Sequence, residues 1–302
     1  EWSPNATQIF LVGDFSDWKE REEFVLNRDK NGEWSINLPE DSLRHGQKYK
    51  LRVYWSGGDG WRLPSYSNYV VQDENSVDFS AVVWSPKTPY DWQYKTPPKP
   101  KVPLIYEAHV GMSSQKEKVA SFSEFTAEVL PRIKESGYNT IQLMAIAEHP
   151  YYGSFGYHVS NFFAVSSRFG TPDDFKKLVD TAHGMGLRVI IDLVHAHAAK
   201  NEVEGLGNFA GDPTQYFKPT NHPEWDSRLF DYGKPEVLHF LASNCRWWLD
   251  EYHIDGFILN PVLAPMEAIL ADPLLKRTKI LQNKEDFQIT MRRFLKGDEG
   301  MV

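Results

Sequence analysis

The spacing of hydrophobic and polar positions changes near residue 85. Before it, apolar and polar residues alternate in short runs rich in β-branched and aromatic residues, which is typical of strands. The predicted strands cover residues 8–12, 33–38, 48–54 and 69–71, with turn signals at 31–32 and 57–60. No helix of ordinary length fits this part. The pattern predicts a small β-sandwich over residues 1–85.

Prolines dominate the next stretch, residues 86–103. Proline fixes its own backbone angle and offers no N–H, so this composition suits neither a helix nor a central strand. We interpret residues 86–103 as a stiff linker between two domains.

After the linker, apolar strand-like runs alternate with amphipathic helical segments, which indicates parallel β/α units. The predicted strands are 104–110, 140–146, 188–195, 255–260 and 278–282, and the predicted helices are 123–136, 172–185, 235–251 and 262–271. A closed (β/α)8 barrel needs eight such strands. We therefore predict an incomplete (β/α)8 TIM barrel over residues 104–302, and expect another segment or chain to cover its open edges.

The composition narrows the range of partners. A net charge of −8 argues against nucleic acid or an anionic membrane as the main partner. Aromatic residues make up 14% of the chain, and their flat faces suit either bulky cores or sugar rings. The single cysteine, Cys245, falls in a helical apolar pattern, so we expect a core thiol and a reducing compartment, the cytoplasm or a plastid.

Polar residues in three short stretches fall where predicted barrel strands end. In such barrels the functional groups lie on the loops that follow the strands. The stretches are 154–158 (SFGYH), 192–197 (DLVHAH) and 256–260 (GFILN). Each has a plain structural alternative, because an aspartate there can cap a helix and His197 can be a satisfied polar neighbour.

Taken together, longer stretches resemble the α-amylase superfamily, and among its members the glycogen and starch branching enzymes. The stretches that carry the resemblance are IYEAHVGMSS from Ile105, VLPRIKESGYNTIQLMAIAEHPYYGSFGYHV from Val129, GTPDDFKKLVDTAHGMGLRVIIDLVHAHAAKN from Gly170 and WDSRLFDYGKPEVLHFLASNCRWWLDEYHIDGF from Trp225. Upstream, EWSPNATQIFLVGDFSDW resembles the carbohydrate-binding β-sandwich that precedes the barrel in branching enzymes and isoamylases.

The resemblance implies roles for individual residues. Tyr157 is similar to the aromatic residue that stacks on the sugar at the cleavage subsite, and Asp192 and His197 are similar to the residues that bind hydroxyls of that sugar. Trp18 matches the glucan-stacking tryptophan of the sandwich, and Trp61 is a second candidate, although either could instead belong to a core. The implied partner is an α-glucan such as glycogen, starch or a maltooligosaccharide, with no cofactor and no metal.

The family pattern breaks at the strand that should carry the nucleophile. The family sequence Gly-Phe-Arg-Phe-Asp is replaced by Gly-Phe-Ile-Leu-Asn at residues 256–260, so Ile258 stands for the arginine and Asn260 for the nucleophilic aspartate. A retaining mechanism needs two carboxyl groups roughly 5 Å apart, and an amide forms no stable glycosyl ester. Asp255 lies near the other end of the strand and cannot replace Asn260.

The tail after Asn260 resembles a different branch of the superfamily. The stretches MEAILADPLLKRTKIL and MRRFLKGDEGMV are similar to isoamylase-type debranching enzymes. In that register the general acid falls at Asn283, and Glu285 could serve only if the register moves by two residues.

Three hypotheses for the function follow. The first is a 1,4-α-glucan branching enzyme family protein, a glycosyltransferase or glycoside hydrolase in fold, that acts on or binds α-1,4-glucan. The second is a non-catalytic glucan-binding or regulatory relative, and the third is an isoamylase-type debranching protein. Because both catalytic positions carry amides, we expect the chain as written to be inactive.

Overall fold

The fold comes from a computed structural model that describes residues 1–260. The helix predicted at 262–271 and the strand predicted at 278–282 lie outside the described residues. Within residues 1–260, no helix combines the length and the apolar character that a membrane crossing requires.

Short strands dominate the described chain. In order they are β1 (Ala6–Gly13), β2 (Asn27–Arg28), β3 (Trp34–Ser35), β4 (Lys48–Trp55), β5 (Gly58–Arg62), β6 (Tyr69–Gln72), β7 (Phe79–Val82), β8 (Ile105–Ala108), β9 (Thr140–Leu143), β10 (Ala147–Glu148), β11 (Asn161–Ser166), β12 (Arg188–Val194), β13 (His197–Ala198), β14 (Phe217–Asn221), β15 (Arg228–Phe230) and β16 (Gly256–Asn260).

The α-helices come after the first eight strands. They are α1 (Phe122–Glu124), α2 (Leu130–Glu135), α3 (Pro172–Gly184) and α4 (Pro235–Tyr252), and a π-helical turn, Phe125–Val129, joins α1 to α2. Single turns of 3-10 helix lie at Asp14–Ser16, Glu22–Phe24, Glu40–Ser42, Val110–Met112 and Tyr152–Ser154.

The chain divides into two compact units, each built from three segments. The first unit holds Glu1–Asp91, Ala147–Pro172 and His197–Asp231. The second holds Trp92–Ile146, Asp173–Ala196 and the described residues from Tyr232 onward. In sequence terms, the first unit contains the predicted sandwich together with two later stretches of chain.

The main sheet of the first unit has the order β1-β4-β7-β6-β11-β10, with β5 paired to β4. Its pairings are antiparallel except that β11 runs parallel to β6. Fully buried side chains such as Ile9, Val53, Val70 and Ala164 line its core. The strand predicted at 33–38 is shorter, because only Trp34 and Ser35 pair with β2, while Ile36 and Leu38 pack against the core.

The second unit contains four parallel strands in the order β16-β12-β9-β8. This is the beginning of the β/α barrel that the alternating pattern predicted. Helix α3 begins with proline in its first turn, and Gly186 follows it with φ +74°. Helix α4 ends where His253 adopts a left-handed conformation and donates its N–H to the Trp248 carbonyl.

The helix predicted at 123–136 is interrupted rather than continuous. Ser121 and Glu124 form a reciprocal capping box at its start. The π turn then precedes Pro131, which has no N–H to donate to the preceding turn. The interruption therefore follows from a single proline within an otherwise helical pattern.

Candidate functional site

A left-handed turn presents Trp18 at the surface of the first unit. Asp17 and Trp18 have φ values of 54° and 57°, directly after the 3-10 turn Asp14–Ser16. The Trp18 N–H donates to the Gly13 carbonyl at 3.0 Å, and its indole Nε1 donates to Asp14 Oδ1 at 2.9 Å. The side chain is 38% exposed, so the turn holds an indole ring in a fixed, solvent-accessible position.

Trp61 lies beside Trp18 although the two are distant in sequence. Trp61 is on β5, paired in register with Arg52 of β4, and it is 37% exposed. The two ring centroids are 6.4 Å apart with an interplanar angle of 62°. The structure thus brings together the two tryptophans that the sequence singled out, and excludes the interior of a core for both.

Charged and hydroxyl groups surround the two indoles. The Arg52 guanidinium lies 5.3 Å from the Trp61 ring centroid and 5.4 Å from that of Tyr54. Arg52 also pairs with Asp59 and, at 3.5 Å, with Glu20, which accepts a 2.7 Å hydrogen bond from the Tyr54 hydroxyl. We call this set the Trp18–Trp61 surface; it comprises Trp18, Glu20, Arg52, Tyr54, Asp59 and Trp61.

The chemistry of the Trp18–Trp61 surface suits a sugar chain. Flat indole faces stack on the apolar faces of sugar rings, and the neighbouring carboxylates and guanidinium can bond to hydroxyls. The opposite charges are paired with one another, so the surface carries no strong field of a single sign. Sequence reasoning missed Arg52 and Tyr54, because only the β4–β5 pairing places them here.

A second set of predicted residues, Tyr157 and His197, also lies in the first unit. His197 opens β13, and its Nε2 lies 2.9 Å from the Tyr157 carbonyl oxygen. Burial lowers the pKa of His197 to about 4, and the nearby His158 and His222 add to the shift. The ring is therefore neutral near pH 7, and Nε2 donates to the carbonyl. Its Nδ1 is buried and has no hydrogen-bond partner within residues 1–260.

Other aromatic rings surround His197. The Trp225 ring centroid is 5.2 Å away and the His158 centroid 6.2 Å away. His222 stacks on Trp225 at 4.0 Å with nearly parallel rings. The hairpin of β14 and β15 carries Trp225 at its turn, and β15 pairs with β13. Sequence reasoning did not place Trp225 and His222 beside His197, because their approach depends on that three-stranded sheet.

Asp192 lies in the second unit, buried near the end of β12. Its Oδ1 accepts a 2.9 Å hydrogen bond from Gln142 Nε2 on β9, and the same amide group lies 3.2 Å from Glu107 Oε1 on β8. Directly opposite Asp192 in the parallel pairing stands Ile258. Asp192 therefore lies within the parallel strands, and it caps none of the helices described in residues 1–260. That Asp192 shares a pocket with Tyr157 and His197 stays a prediction.

Asp255 has a structural role, consistent with the expectation that it cannot replace a nucleophile. Its side chain is fully buried, and Oδ2 accepts hydrogen bonds from the Val189 N–H at 2.7 Å and from His183 Nε2 at 2.9 Å. These bonds tie the start of β16 to β12 and α3. A carboxylate committed in this way is not available for chemistry on a substrate.

Of the two positions expected to carry catalysis, Asn260 lies within the described residues. The backbone of Asn260 pairs in register with Val194 at the end of β16. Asn283, the general-acid position, and Glu285 lie outside the described residues. Within residues 1–260, no three His, Cys, Asp or Glu side chains come together as metal ligands.

Comparison with known families agrees with the mainly antiparallel sheet of the first unit and the parallel sheet of the second. The family Carbohydrate-binding module 48 (Isoamylase N-terminal domain) matches residues 1–67, and Alpha amylase, catalytic domain, matches residues 124–213. A solved putative alpha amylase from Salmonella typhimurium has a TM-score of 0.74 and 22% identity, covering 95% of this chain and 46% of that one. A pullulanase from Paenibacillus barengoltzii has a TM-score of 0.70 and 21% identity, covering 86% and 46%. These define an α-amylase-type protein: a carbohydrate-binding β-sandwich followed by part of a TIM barrel.

Curated relatives narrow the class further. A 1,4-alpha-glucan-branching enzyme of Yarrowia lipolytica is 51% identical over 275 residues, 87% of this chain and 40% of that protein. Those of Dictyostelium discoideum and Solanum tuberosum are each 47% identical, over 87% and 85% of this chain and 40% and 32% of theirs. Over most of its own length the chain is similar to 1,4-alpha-glucan-branching enzymes, as the sequence resemblance predicted, and it spans about two fifths of the length of the first two relatives.

Proposed function

We propose that this chain is an α-1,4-glucan-binding protein of the branching-enzyme family, acting in glycogen or starch metabolism through the Trp18–Trp61 surface. The observation that carries the proposal is the 6.4 Å approach of two exposed indoles on a carbohydrate-binding module fold. Stacking on two rings set at an angle fits a curved chain of sugar units better than a flat one. The relatives, named as branching enzymes, supply the α-1,4-glucan class.

In the branching reaction, the role of this chain is to bind and orient the sugar. Tyr157, Asp192 and His197 keep the residue types that the family uses at the cleavage subsite, and these need no nucleophile to bind hydroxyls. The covalent step is different, because the amide of Asn260 cannot form a glycosyl ester. We therefore propose that the chain as written binds the glucan without cleaving it.

We also propose that the open barrel is completed by a further segment or by a second chain. In the described residues, β8 and β16 end the parallel sheet, and each pairs on one side only. Parallel sheets are normally covered on both faces, and an open edge invites pairing with another strand. Analytical ultracentrifugation and amide hydrogen exchange together test this proposal. A defined oligomer, or strand edges protected from exchange, supports it. A monodisperse monomer in which both edges exchange freely contradicts it.

Affinity electrophoresis on gels containing glycogen tests the binding proposal. The native chain should be retarded relative to a gel without glycogen, and Trp18→Ala should restore most of its mobility. Trp18→Phe is the matched control, because it keeps a stacking ring in the same turn and should remain retarded. Unretarded migration of the native chain, or equal retardation of the native and Trp18→Ala proteins, would sink the proposal.

A further inference from the structure

A cavity in the second unit has no part in the sites above. It has a volume of about 630 Å³ and lies between residues 92–96 and the last turns of α4. Cavities that bind small molecules are commonly about 300–1,000 Å³. The size is therefore that of a site for several sugar rings.

Three contacts with helices α3 and α4 hold one wall of the cavity in place. The buried carboxylate of Asp180 on α3 accepts hydrogen bonds from the backbone N–H groups of Gln93, at 3.1 Å, and Tyr94, at 2.9 Å. The Tyr94 ring packs so closely on Gly184 that a Cβ added there would lie 2.7 Å from it. Trp92 stacks on His253 at 3.9 Å between ring centroids. The wall is thus positioned before any ligand arrives, which lowers the entropic cost of binding.

The wall presents aromatic surface to solvent. Tyr94 is 54% exposed even though one side of it packs on α3. Burial lowers the pKa of His253, with a smaller contribution from His183, so the ring beneath Trp92 is neutral near pH 7. The aromatic part of the cavity therefore offers the rings of Tyr94 and Trp92, and the His253 ring adds no charge.

The opposite wall, on α4, supplies polar groups with compensated charge. Arg246 Nε donates to Asp250 Oδ2 at 2.8 Å, one helical turn apart, and both side chains are substantially exposed. Lys95 is the other cationic side chain of the lining, so the cavity carries an excess of one positive charge. One lysine beside a paired arginine and aspartate is too little to select an anion, and the pair offers both donors and acceptors to hydroxyls.

We propose that this cavity is a second binding site for an α-1,4-glucan chain, separate from the Trp18–Trp61 surface. The sugar rings lie against Tyr94 and Trp92, and their hydroxyls bond to the Arg246–Asp250 pair. The assignment of the ligand as an α-glucan rests on the proposed function, whereas the site rests on the cavity and its lining.

The test uses the full chain carrying Trp18→Ala and Trp61→Ala, because these substitutions remove the Trp18–Trp61 surface. Maltoheptaose is the probe, and its binding is measured by ligand-observed NMR and calorimetric titration. This background should retain weak binding. Adding Arg246→Ala and Asp250→Ala should weaken that residual binding at least about tenfold. The matched control adds Arg246→Gln and Asp250→Asn, which keep hydrogen-bonding groups without charge and should retain most of the residual affinity. Inorganic phosphate should not compete.

The outcomes separate the two proposals. If the native chain and the double tryptophan variant bind equally, the proposed function fails, while loss of that binding on Arg246→Ala and Asp250→Ala still supports the cavity. The cavity proposal is overturned if the tryptophan background has no residual binding, or if that binding is indifferent to Arg246→Ala and Asp250→Ala. Competition by phosphate, or loss in the Gln and Asn control, also overturns it by indicating an anion site. Urea unfolding of each variant, with the Gln and Asn protein as reference, verifies that a loss of binding is not a loss of fold.

Discussion

Asp192 and Ile258 stand directly opposite each other where β12 and β16 pair in parallel. Side chains in register on neighbouring strands point to the same face of a sheet. Asp192 therefore has an aliphatic neighbour at the position where the family sequence has an arginine. On the other side, Asp192 Oδ1 accepts a hydrogen bond from Gln142 Nε2 on β9.

The first prediction is that Asn260→Asp does not create a branching enzyme. The restored carboxylate would still have Ile258 two residues before it and would lack a guanidinium partner. Groups that act as a unit in catalysis are strongly non-additive, so repairing one leaves activity about as low as repairing none. An iodine-stain branching assay on amylose, with reducing-end release as a check for hydrolysis, should show no turnover in the native chain or in Asn260→Asp. Turnover in Asn260→Asp alone would mean that a functional general acid is present.

The second prediction concerns the support of Trp61. Arg52→Ala should weaken glycogen binding about fivefold, roughly 1 kcal/mol, because the guanidinium packs over the Trp61 and Tyr54 rings and pairs with Asp59. Arg52→Lys keeps the charge but not the planar group, and should lose an intermediate amount. Glycogen affinity gels provide the measurement. Equal retardation of all three proteins would show that Arg52 does not position the surface.

The third prediction compares two glycines in the first unit. Gly211 and Gly46 both have positive φ, 74° and 87°, but a Cβ at Gly211 would clash with the indole ring of Trp55, whereas Gly46 has open space. Trp55 in turn lies 5.2 Å from the Arg62 guanidinium. Gly211→Ala should therefore destabilise the protein by about 1–3 kcal/mol more than Gly46→Ala. Thermal or urea unfolding measures the difference, and equal losses in both variants would contradict the packing argument.

The fourth prediction is a loss of stability in mild acid. Burial lowers the pKa values of His149, His195 and His197 to about 4 each. An unfolded histidine titrates near pH 6.5, so between about pH 6.5 and 4 the unfolded chain binds more protons than the folded chain. The contribution of these histidines is complete above about pH 6.5 and is lost as the pH falls toward 4.

Substitution of one histidine isolates this effect from the titration of carboxylates. His149→Gln should reduce the slope of the free energy of unfolding against pH by up to about 1.4 kcal/mol per pH unit, the value for one proton. His239→Gln, which removes a histidine from an exposed position of α4, is the control. Urea titrations between about pH 4.5 and 7.5 give the slopes, and identical slopes in all proteins would refute the assignment.

The local sequence pattern was sufficient to predict those elements whose bounds are encoded within their own residues. Helix α4 was predicted at 235–251 and observed at Pro235–Tyr252, because a proline in the first turn and a long amphipathic repeat define it. Strand β12 was predicted at 188–195 and observed at Arg188–Val194 from its apolar run. In each case the signal lies within the element itself.

Pairing between distant segments could not be predicted in the same way. Strand β11, Asn161–Ser166, was not predicted, because its parallel partner β6 is encoded about ninety residues earlier. All six of its residues are buried, and its apolar run, residues 162–165, is too short for periodicity to distinguish a buried strand from a buried helix segment. Trp225 reaches His197 only through the pairing of β13, β14 and β15, and Arg52 reaches Trp61 only through the β4–β5 register.

The position of β11 in the main sheet has a consequence for synthesis of the chain. A ribosome makes β6 and β7 early, yet the strand that covers the other side of β6 emerges only after β8, α1, α2, β9 and β10. Until then the nascent chain carries a bare strand edge, the kind of surface that pairs with other chains. Slow translation over residues 91–166 would therefore prolong the exposure of this edge, and a chaperone that holds the nascent chain over the same stretch would protect it.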